Sequence, residues 1–276
     1  MKKYEIHKAL DDSGYKNSDL WAADAAFGFP HLKEKIDSFD RSAKIMEVGC
    51  GSGILLSMIA EEFSQHELLG IEPFGDGHSQ LKDLNSVARK MGVNLQIESY
   101  EDHKPETKYD LIYCINVFEH VSDWRHFLGW AYDNLNKGGV FLVLCPNYGF
   151  PYEPHFKIPI IFNKNFTHKL FQDYIVRYEK NTDSGTFGLW NSLNFVKKKE
   201  VRKFLNQSEL LQKFTMEDDT GIIDEMVHRV SEDNEFRKRQ FLLGSVAVLI
   251  KKLGVFNLIK WFPNFIPYMK LSFTKH

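Results

Sequence analysis

Residues 44–63 have the sequence KIMEVGCGSGILLSMIAEEF, and the rest of the chain is arranged around them. Residues 44–48 predict a short apolar strand, which an alternating glycine turn (Gly49, Gly51, Gly53) connects to an amphipathic helix. A strand that passes through glycines into a helix places free backbone N–H groups at one edge of a sheet. Glycine also lets a ligand approach without a Cβ in the way. The stretch therefore predicts a ligand-binding turn in an α/β protein.

The glycine spacing separates the kinds of nucleotide site that use such a turn. A dinucleotide site needs G-x-G-x-x-G, but Ile54 stands at the third glycine position, which argues against an NAD-dependent oxidoreductase. A P-loop needs a Lys after its last glycine, and none follows here. An ordinary tight turn without a ligand remains as the structural alternative.

An acidic residue precedes the glycines, so that the pattern is acidic-x-G-x-G-x-G beginning at Glu47. This pattern resembles motif I of the class I S-adenosylmethionine (SAM) dependent methyltransferases. The resemblance implies SAM as the cofactor and S-adenosylhomocysteine as its product. It also implies a cofactor cradle formed by Glu47, Gly49, Cys50, Gly51 and Gly53.

A second acidic residue ends the next predicted strand, at residues 67–72. Glu72 lies about twenty residues beyond the glycines, where a carboxylate can accept both ribose hydroxyls of a bound nucleoside. A solvated strand end is the alternative for this residue.

Residues 99–102 follow the third predicted strand, which spans residues 93–98, at the place where the family recognises adenine. The family usually has an acidic residue at the first of these positions, but this chain has Ser99 there. The resemblance therefore shifts the expected adenine contacts toward Tyr100 and Glu101.

The fourth predicted strand spans residues 109–116, and the sequence NVFEHVSD begins at its last residue, Asn116. This segment resembles the E-H-V-x-D segment of the ubiquinone-biosynthesis O-methyltransferase branch. The resemblance implies that Asn116 and Phe118 face the methionine part of the cofactor. His120 either positions the substrate or cofactor, or is a hydrogen-bonded strand-end residue.

The same segment bears on metal binding. In ubiquinone-pathway relatives, an acid at the position of Asn116 joins the Glu and His that correspond to Glu119 and His120 in holding a divalent cation. An amide is a poorer ligand than a carboxylate for a hard cation. No metal is therefore expected here.

Residues 146–159, PNYGFPYEPHFKIP, form a proline- and aromatic-rich loop after the fifth predicted strand. Proline stiffens the loop, which must cross the mouth of the cofactor site. Methyl transfer to a hydroxyl needs a nearby base, and His is suited to this at neutral pH. We expect His155 to be that base and Tyr148, Tyr152 and Glu153 to shape the acceptor pocket. The alternative is that His155 only makes hydrogen bonds within the loop.

The order of strands and helices predicts a Rossmann-like α/β fold. Residues 44–145 alternate as β-α-β-α-β-β-α-β, which indicates a mostly parallel sheet with helices on both faces. Residues 210–217 and 268–275 complete a seven-stranded sheet, the last strand being antiparallel. Ligands in such sheets bind at the carboxyl ends of the strands.

The chain is expected to be a single methyltransferase domain over residues 1–276. We expect Pro30 to end a helix in the N-terminal segment, with a second short helix reaching about residue 39. Such segments often close over the cofactor in this family, and Trp21, Phe27 and Phe29 could do so, although we favour a plain packing role for them. The parts are an N-terminal helical segment (1–43), the SAM-binding core (44–146), a substrate insertion (147–192), and the remaining sheet (193–276) with a helical cap (220–266).

Composition limits the partners and the compartment. A net charge of −2 and a pI near 6.6 give no overall field that would favour nucleic acid. The three cysteines form no C-x-x-C pair, which is typical of reduced thiols inside cells. The N-terminus has no apolar secretory core, and the longest apolar run, residues 241–250, is too short to span a bilayer. We expect a cytoplasmic protein, in peripheral contact with a membrane at most.

The segment at residues 251–270, KKLGVFNLIKWFPNFIPYMK, is basic and aromatic, and no acidic residue follows Glu235. One interpretation is a membrane-surface element with Trp261, Phe262 and Phe265 in the interface. The other interpretation, which the sequence favours, is a cap over the substrate pocket.

Together these features predict a methyltransferase that acts on a hydroxyl of a small-molecule, glycan or lipid-linked acceptor with help from a histidine. Two alternatives remain, which are N-methylation of an amine or lipid head group, and a SAM-binding module without turnover.

Overall fold

The computed structural model describes residues 18–75, 81–90, 92–181, 187–209, 213–232 and 261–276. Most of the cap expected at residues 220–266 therefore lies outside the described residues, as does the apolar run at 241–250. No helix in the described ranges is long and apolar enough to cross a bilayer.

The described strands form one large sheet and one small hairpin. They are β1 (Lys44–Val48), β2 (Glu67–Ile71), β3 (Leu95–Gln96), β4 (Tyr109–Ile115), β5 (Leu135–Pro146), β6 (Tyr152–Glu153), β7 (Ile158–Pro159), β8 (Phe214–Asp218) and β9 (Tyr268–Lys275).

The large sheet has seven strands in the order β3-β2-β1-β4-β5-β9-β8. The pairs from β3 to β5 are parallel, whereas β9 runs antiparallel to both β5 and β8. The expected Rossmann-like, mostly parallel sheet with a final antiparallel strand is thereby confirmed. The chain builds outward from β1 to β3 and then returns to β4. The carboxyl ends of β1 and β4 thus flank the crevice where ligands bind in open α/β sheets.

Helices cover both faces of this sheet. They are α1 (Ser18–Asp37), α2 (Ile54–Glu62), α3 (Leu81–Lys90), α4 (Trp124–Asn134), α5 (Lys164–Asn181), α6 (Leu189–Ser192), α7 (Lys198–Gln207) and α8 (Ile222–Glu232). Alternate residues of a strand point to opposite faces. Accordingly, Leu111 and Tyr113 of β4 pack in the core with α1 and α2, while Ile112 and Cys114 pack with α4 and α7.

The expected helix break at Pro30 is wrong, because α1 continues through it to Asp37. Proline removes one backbone hydrogen bond from a helix interior. The residues beyond it make up for that loss, since Leu32 and Ile36 are 0% and 1% exposed and pack in the core. Tertiary burial therefore outweighs the local signal.

The expected insertion at residues 147–192 contains the β6–β7 hairpin, α5 and α6. It has its own apolar cluster, in which Phe156, Ile175 and Trp190 are buried. Asn147 ties the start of the insertion to the chain before β9, because its side-chain amide donates to the carbonyls of Asn264 and Ile266. The insertion thus packs beside the carboxyl end of β5.

Candidate active site

A cavity of about 450 Å³ opens at the carboxyl ends of β1, β2 and β4. Its volume lies in the range typical of small-molecule and cofactor sites. Among the residues that line it are Trp21, Asp24, Glu47, Gly49, Cys50, Gly51, Glu72, Ser99, Tyr100, Glu101, Asn116, His120 and Ser192. The structure thus brings most of the expected cofactor residues to one cavity.

The glycine turn shows why two of its positions exclude a side chain. Gly49 has a φ of +74°, and a Cβ there would lie 2.3 Å from the Val117 side chain. Gly53 has a φ of +77°, and its Cβ would lie 2.6 Å from Leu95. Gly53 does not line the cavity, so its role is the close packing of α2 against β3. Of the glycines in this turn, Gly49 and Gly51 border the cavity.

Glu72 is joined to the glycine turn by direct hydrogen bonds. Its Oε2 accepts from the backbone N–H of Gly51 at 3.0 Å, and its Oε1 accepts from that of Phe74 at 2.8 Å. Burial raises the pKa of Glu72, although these two N–H groups oppose the increase. Each oxygen keeps a second lone pair for a ligand, since an ionised carboxylate has about four acceptor sites.

Glu47 lies at the floor of the cavity and is 4% exposed. The Tyr113 hydroxyl, on the adjacent strand β4, donates to its Oε2 at 3.1 Å. Burial raises the pKa of Glu47 to about 8, with a smaller contribution from the charge of Glu72. Burial therefore favours the protonated form of this carboxyl group.

The segment expected to contact adenine lines the cavity, but its side chains have other partners. The Ser99 hydroxyl donates to Asp102 at 2.8 Å. The Tyr100 hydroxyl lies 3.2 Å from Nδ1 of His126, and its ring packs on Phe127. The packing of Tyr100 leaves Glu101 and Asp102 as the exposed side chains of this segment.

Asn116 and Phe118 have different positions at the end of β4. Asn116 lines the cavity with a φ of +55°, and its buried Oδ1 has no hydrogen-bond partner within the described ranges. Phe118 is 0% exposed and packs against Trp124 and Phe127 in the core. The structure therefore does not bring Phe118 to the cavity, because the chain turns at Asn116 and directs it under α4.

His120 lines the cavity, and its tautomer follows from its neighbours. The Ser192 hydroxyl donates its single hydrogen to the Leu189 carbonyl at 2.8 Å. The Ser192 oxygen must then accept from Nδ1–H of His120, which lies 2.9 Å away. The neutral imidazole therefore has its lone pair on Nε2, as a proton acceptor requires. Ser192 had no signal in the sequence, since it lies 72 residues from His120.

His155 does not line the cavity, contrary to the expectation that it faces the acceptor. Its Nδ1 lies 2.6 Å from Oε1 of Glu153, and its ring packs edge-on against His120 with centroids 5.2 Å apart. Burial alone lowers the pKa of His155, but the charges of Glu153 and Glu119 outweigh it, so the net pKa is raised. The hairpin thus holds His155 outside the cavity lining.

Glu153 is an organising residue of the insertion. It is 0% exposed, and its carboxylate accepts from the backbone N–H groups of His155 and Phe156 and from the Tyr148 hydroxyl. Tyr148 is buried and stacks on Phe195, whereas Tyr152 is half-buried on β6. None of Tyr148, Tyr152 and Glu153 lines the cavity, so they support its wall indirectly.

Glu119 was assigned no role from the sequence, although it corresponds to a metal-ligating residue of ubiquinone-pathway relatives. It is 0% exposed, and neither carboxylate oxygen has a hydrogen-bond partner in the described part of the chain. Its Oε1 lies 3.9 Å from Nε2 of His120 and 4.0 Å from Nε2 of His155. Burial raises its pKa to about 7, and the charge of His155 opposes the increase.

Helix α1 also contributes to the cavity, through Trp21 and Asp24. Trp21 was recognisable in the sequence as an aromatic residue that could close over a cofactor, although a plain packing role was the preferred interpretation. Asp24 had no such signal, because it becomes part of the site only when α1 packs across the sheet edge.

Comparison with known proteins places this chain in a family. A family model described as a methyltransferase domain matches residues 25–210. An uncharacterised protein of Mycobacterium tuberculosis is 29% identical over 261 residues, covering 92% of this chain and 86% of that protein. A ubiquinone biosynthesis O-methyltransferase of Hydrogenovibrio crunogenus is 30% identical over 158 residues, covering 51% of this chain and 64% of that enzyme.

A solved structure gives the same result for the fold. It is a Haemonchus contortus N-methyltransferase in complex with phosphomonomethylethanolamine and S-adenosylhomocysteine, with a TM-score of 0.51 at 13% identity. The alignment covers 98% of this chain and 59% of that one. With the glycine turn, the sheet order and the matched family model, the chain belongs to the class I SAM-dependent methyltransferases.

Proposed function

We propose that the protein transfers the methyl group of SAM to a hydroxyl of a small-molecule, glycan or lipid-linked acceptor, and that His120 accepts the hydroxyl proton. The observation that supports this most is the position of His120 in the cavity lining, with its Nδ1 held by Ser192. A sulfonium methyl group is already activated, so the protein must chiefly orient the acceptor in line and remove a proton.

The cofactor would lie along the carboxyl ends of the strands. Glu72 would accept the ribose hydroxyls, and residues 99–101 would border the adenine. The turn at residues 49–51 and the buried carboxyl of Glu47 would face the amino-acid part, with Asn116 beside it. This assignment combines the family resemblance with the presence of all these residues in the cavity lining.

His155 has a supporting role in this proposal, although the sequence favoured it as the base. Its ring lies behind that of His120, and Glu153 fixes its orientation. Together with Tyr148 and Tyr152, Glu153 and His155 would hold the hairpin that forms the acceptor side of the site.

The test is methyl transfer from radiolabelled SAM to a panel of hydroxylated acceptors and their amine counterparts. We expect labelled methyl ethers from the hydroxylated set. Labelled products from the amines alone would overturn the hydroxyl assignment. SAM binding by calorimetry with no product from either set would favour a binding module instead.

We also propose that the segment around Trp261 contacts a lipid surface. Trp261, Phe262 and Phe265 are 79%, 62% and 56% exposed, which supports an interfacial element over a buried cap for these residues. Anionic vesicles should co-sediment the protein, and neutral vesicles should do so less. The same sedimentation by the variant with all three aromatic residues replaced by Ser would refute this contact.

A further inference from the structure

Three potential metal ligands converge beside the cofactor cavity. They are the carboxylate of Glu119 and the imidazoles of His120 and His155, each with one ligand atom within 4.8 Å of the others. Glu119 and His120 follow β4, whereas His155 belongs to the turn of the β6–β7 hairpin. The fold thus joins two distant segments of the chain at one point.

The hydrogen bonds of both rings direct acceptors toward that point. Nδ1 of His120 is bound to Ser192, and Nδ1 of His155 is bound to Glu153. In their neutral form the two rings therefore present their Nε2 lone pairs to Glu119, at 3.9 and 4.0 Å. Such partners on the far nitrogen are typical of histidines that ligate metals.

Glu119 gives an independent indication that something is bound between the rings. It is 0% exposed, and both of its oxygens lack a hydrogen-bond partner in the part of the chain that the structure describes. A buried carboxylate without a partner is strongly destabilising. Distances near 4 Å are too long for hydrogen bonds from either ring, so the histidines alone do not satisfy it.

The spacing fits a single-atom occupant. A point equidistant from three atoms that lie 3.9–4.8 Å apart is about 2.3–2.8 Å from each. Bonds from zinc to nitrogen or carboxylate oxygen are roughly 2.0–2.2 Å. Closing this difference needs side-chain movements of less than about 1 Å, which rotations of the three side chains can supply.

We propose that Glu119, His120 and His155 form a binding site for a divalent cation of the zinc class. Two imidazoles and one carboxylate suit Zn²⁺, Co²⁺ or Ni²⁺, whereas Mg²⁺ prefers an all-oxygen set. Three protein ligands also leave a coordination position open, as in catalytic zinc sites. The acidic side chains of Asp24 and Glu153 add to the negative field around His155.

This site differs from the ligand set that the family resemblance implied. That set needs an acid at the position of Asn116, and the amide there led us to expect no metal. The hairpin supplies His155 as a third ligand, which changes both the ligand chemistry and the preferred metal. A bound cation would use the same Nε2 atom of His120 that the proposed proton transfer uses, so the two uses exclude each other at any one time.

The test measures metal binding alone, without SAM or acceptor, so that its outcome is independent of the proposed methyl transfer. The full chain, purified without a polyhistidine tag and treated with chelator, is titrated with Zn²⁺ by calorimetry and with Co²⁺ by visible absorption. We expect one ion per chain, proton release on binding, and Co²⁺ bands of a four- or five-coordinate site. Mg²⁺ should bind far more weakly than Zn²⁺.

Variants locate the ion and keep the proposal open to refutation. Glu119→Gln, His120→Ala and His155→Ala should each weaken Zn²⁺ binding at least tenfold, and Ser192→Ala should do so about tenfold through loss of the Nδ1 partner. His168→Ala, on neighbouring α5, is the matched control and should bind as the wild type does. Circular dichroism identifies any variant that fails to fold. If His155→Ala fails to fold, His155→Asn replaces it, because this position is partly exposed. Absence of binding, preference for Mg²⁺, or unchanged affinity in folded His155 variants would overturn the site.

Discussion

Replacing Glu72 tests the arrangement of the cofactor site most directly. Both of its oxygens already hold backbone N–H groups, those of Gly51 and Phe74. One lone pair on each oxygen remains, in a suitable arrangement for two adjacent ribose hydroxyls. Glu72→Ala removes both contacts, while Glu72→Gln keeps one acceptor oxygen at nearly the same place.

The expected loss follows from the number of contacts. A hydrogen bond contributes roughly 0.5–1.5 kcal/mol net and one to a charged acceptor about 1.5–3 kcal/mol, and we take about 1–1.5 kcal/mol for each ribose contact. Two such bonds give about 2–3 kcal/mol, so Glu72→Ala should weaken SAM binding about 30- to 150-fold. Glu72→Gln should show roughly half of that free energy.

The assay is calorimetric titration with S-adenosylhomocysteine and with its analogue that lacks both ribose hydroxyls. The wild type should bind the analogue as weakly as the Glu72→Ala variant binds the parent ligand. The variant itself should discriminate little between the two ligands. Glu67→Ala, at the exposed start of the same strand, is the control and should bind like the wild type.

The second ligand separates ribose recognition from support of the glycine turn. Loss of the bond to Gly51 lowers stability as well, and it would weaken both ligands equally. If Glu72→Ala reduced the affinity for both ligands by the same factor, the carboxylate would support the turn without contacting the ribose, and the reasoning would be refuted.

Three further changes test other parts of the site. His120→Ala should lower kcat roughly 10²-fold and leave SAM affinity unchanged by calorimetry, and a wild-type rate would remove His120 from the mechanism. SAM affinity should rise between pH 6.5 and 8.5, because the Glu47 carboxyl, with a pKa of about 8, must ionise to attract the cationic ligand, and Glu47→Gln should flatten that profile. Gly49→Ala should lower the free energy of unfolding by about 1–3 kcal/mol in urea titrations, since its Cβ would lie 2.3 Å from Val117. Gly129→Ala, where nothing lies within 4 Å, should instead be neutral or stabilising by up to about 1 kcal/mol.

Local patterns in the sequence were sufficient to predict the bounds of a strand whose environment is uniform along its length. Both β1 and β9 have the predicted bounds, because each shows a clear apolar or alternating pattern. Strand β3 was predicted over residues 93–98, but only Leu95–Gln96 pair with β2. An edge strand has one neighbour, so its extent depends on how far that neighbour reaches, and the sequence of the segment does not contain this information.

Tertiary packing changed the assignments at two kinds of position. Phe118 was expected at the cofactor but lies in the core under α4, because the turn at Asn116 reverses the direction of the next side chains. Asp24 and Ser192 line the cavity although neither belongs to a motif. Residues of this second kind come from segments that precede or follow the motif region, and their approach depends on how α1 and the insertion pack.

The sequence by itself determined the turn at residues 49–53, the α/β class and the family, because a strand, a glycine turn and a helix are set by neighbouring residues and their spacing. Only the tertiary structure decided which histidine faces the cavity. The glycine turn and His120 of the Glu119–His120–His155 cluster both line that cavity. That cluster exists because the hairpin of the insertion returns to the end of β4, and the free energy of packing far-separated segments fixes that contact.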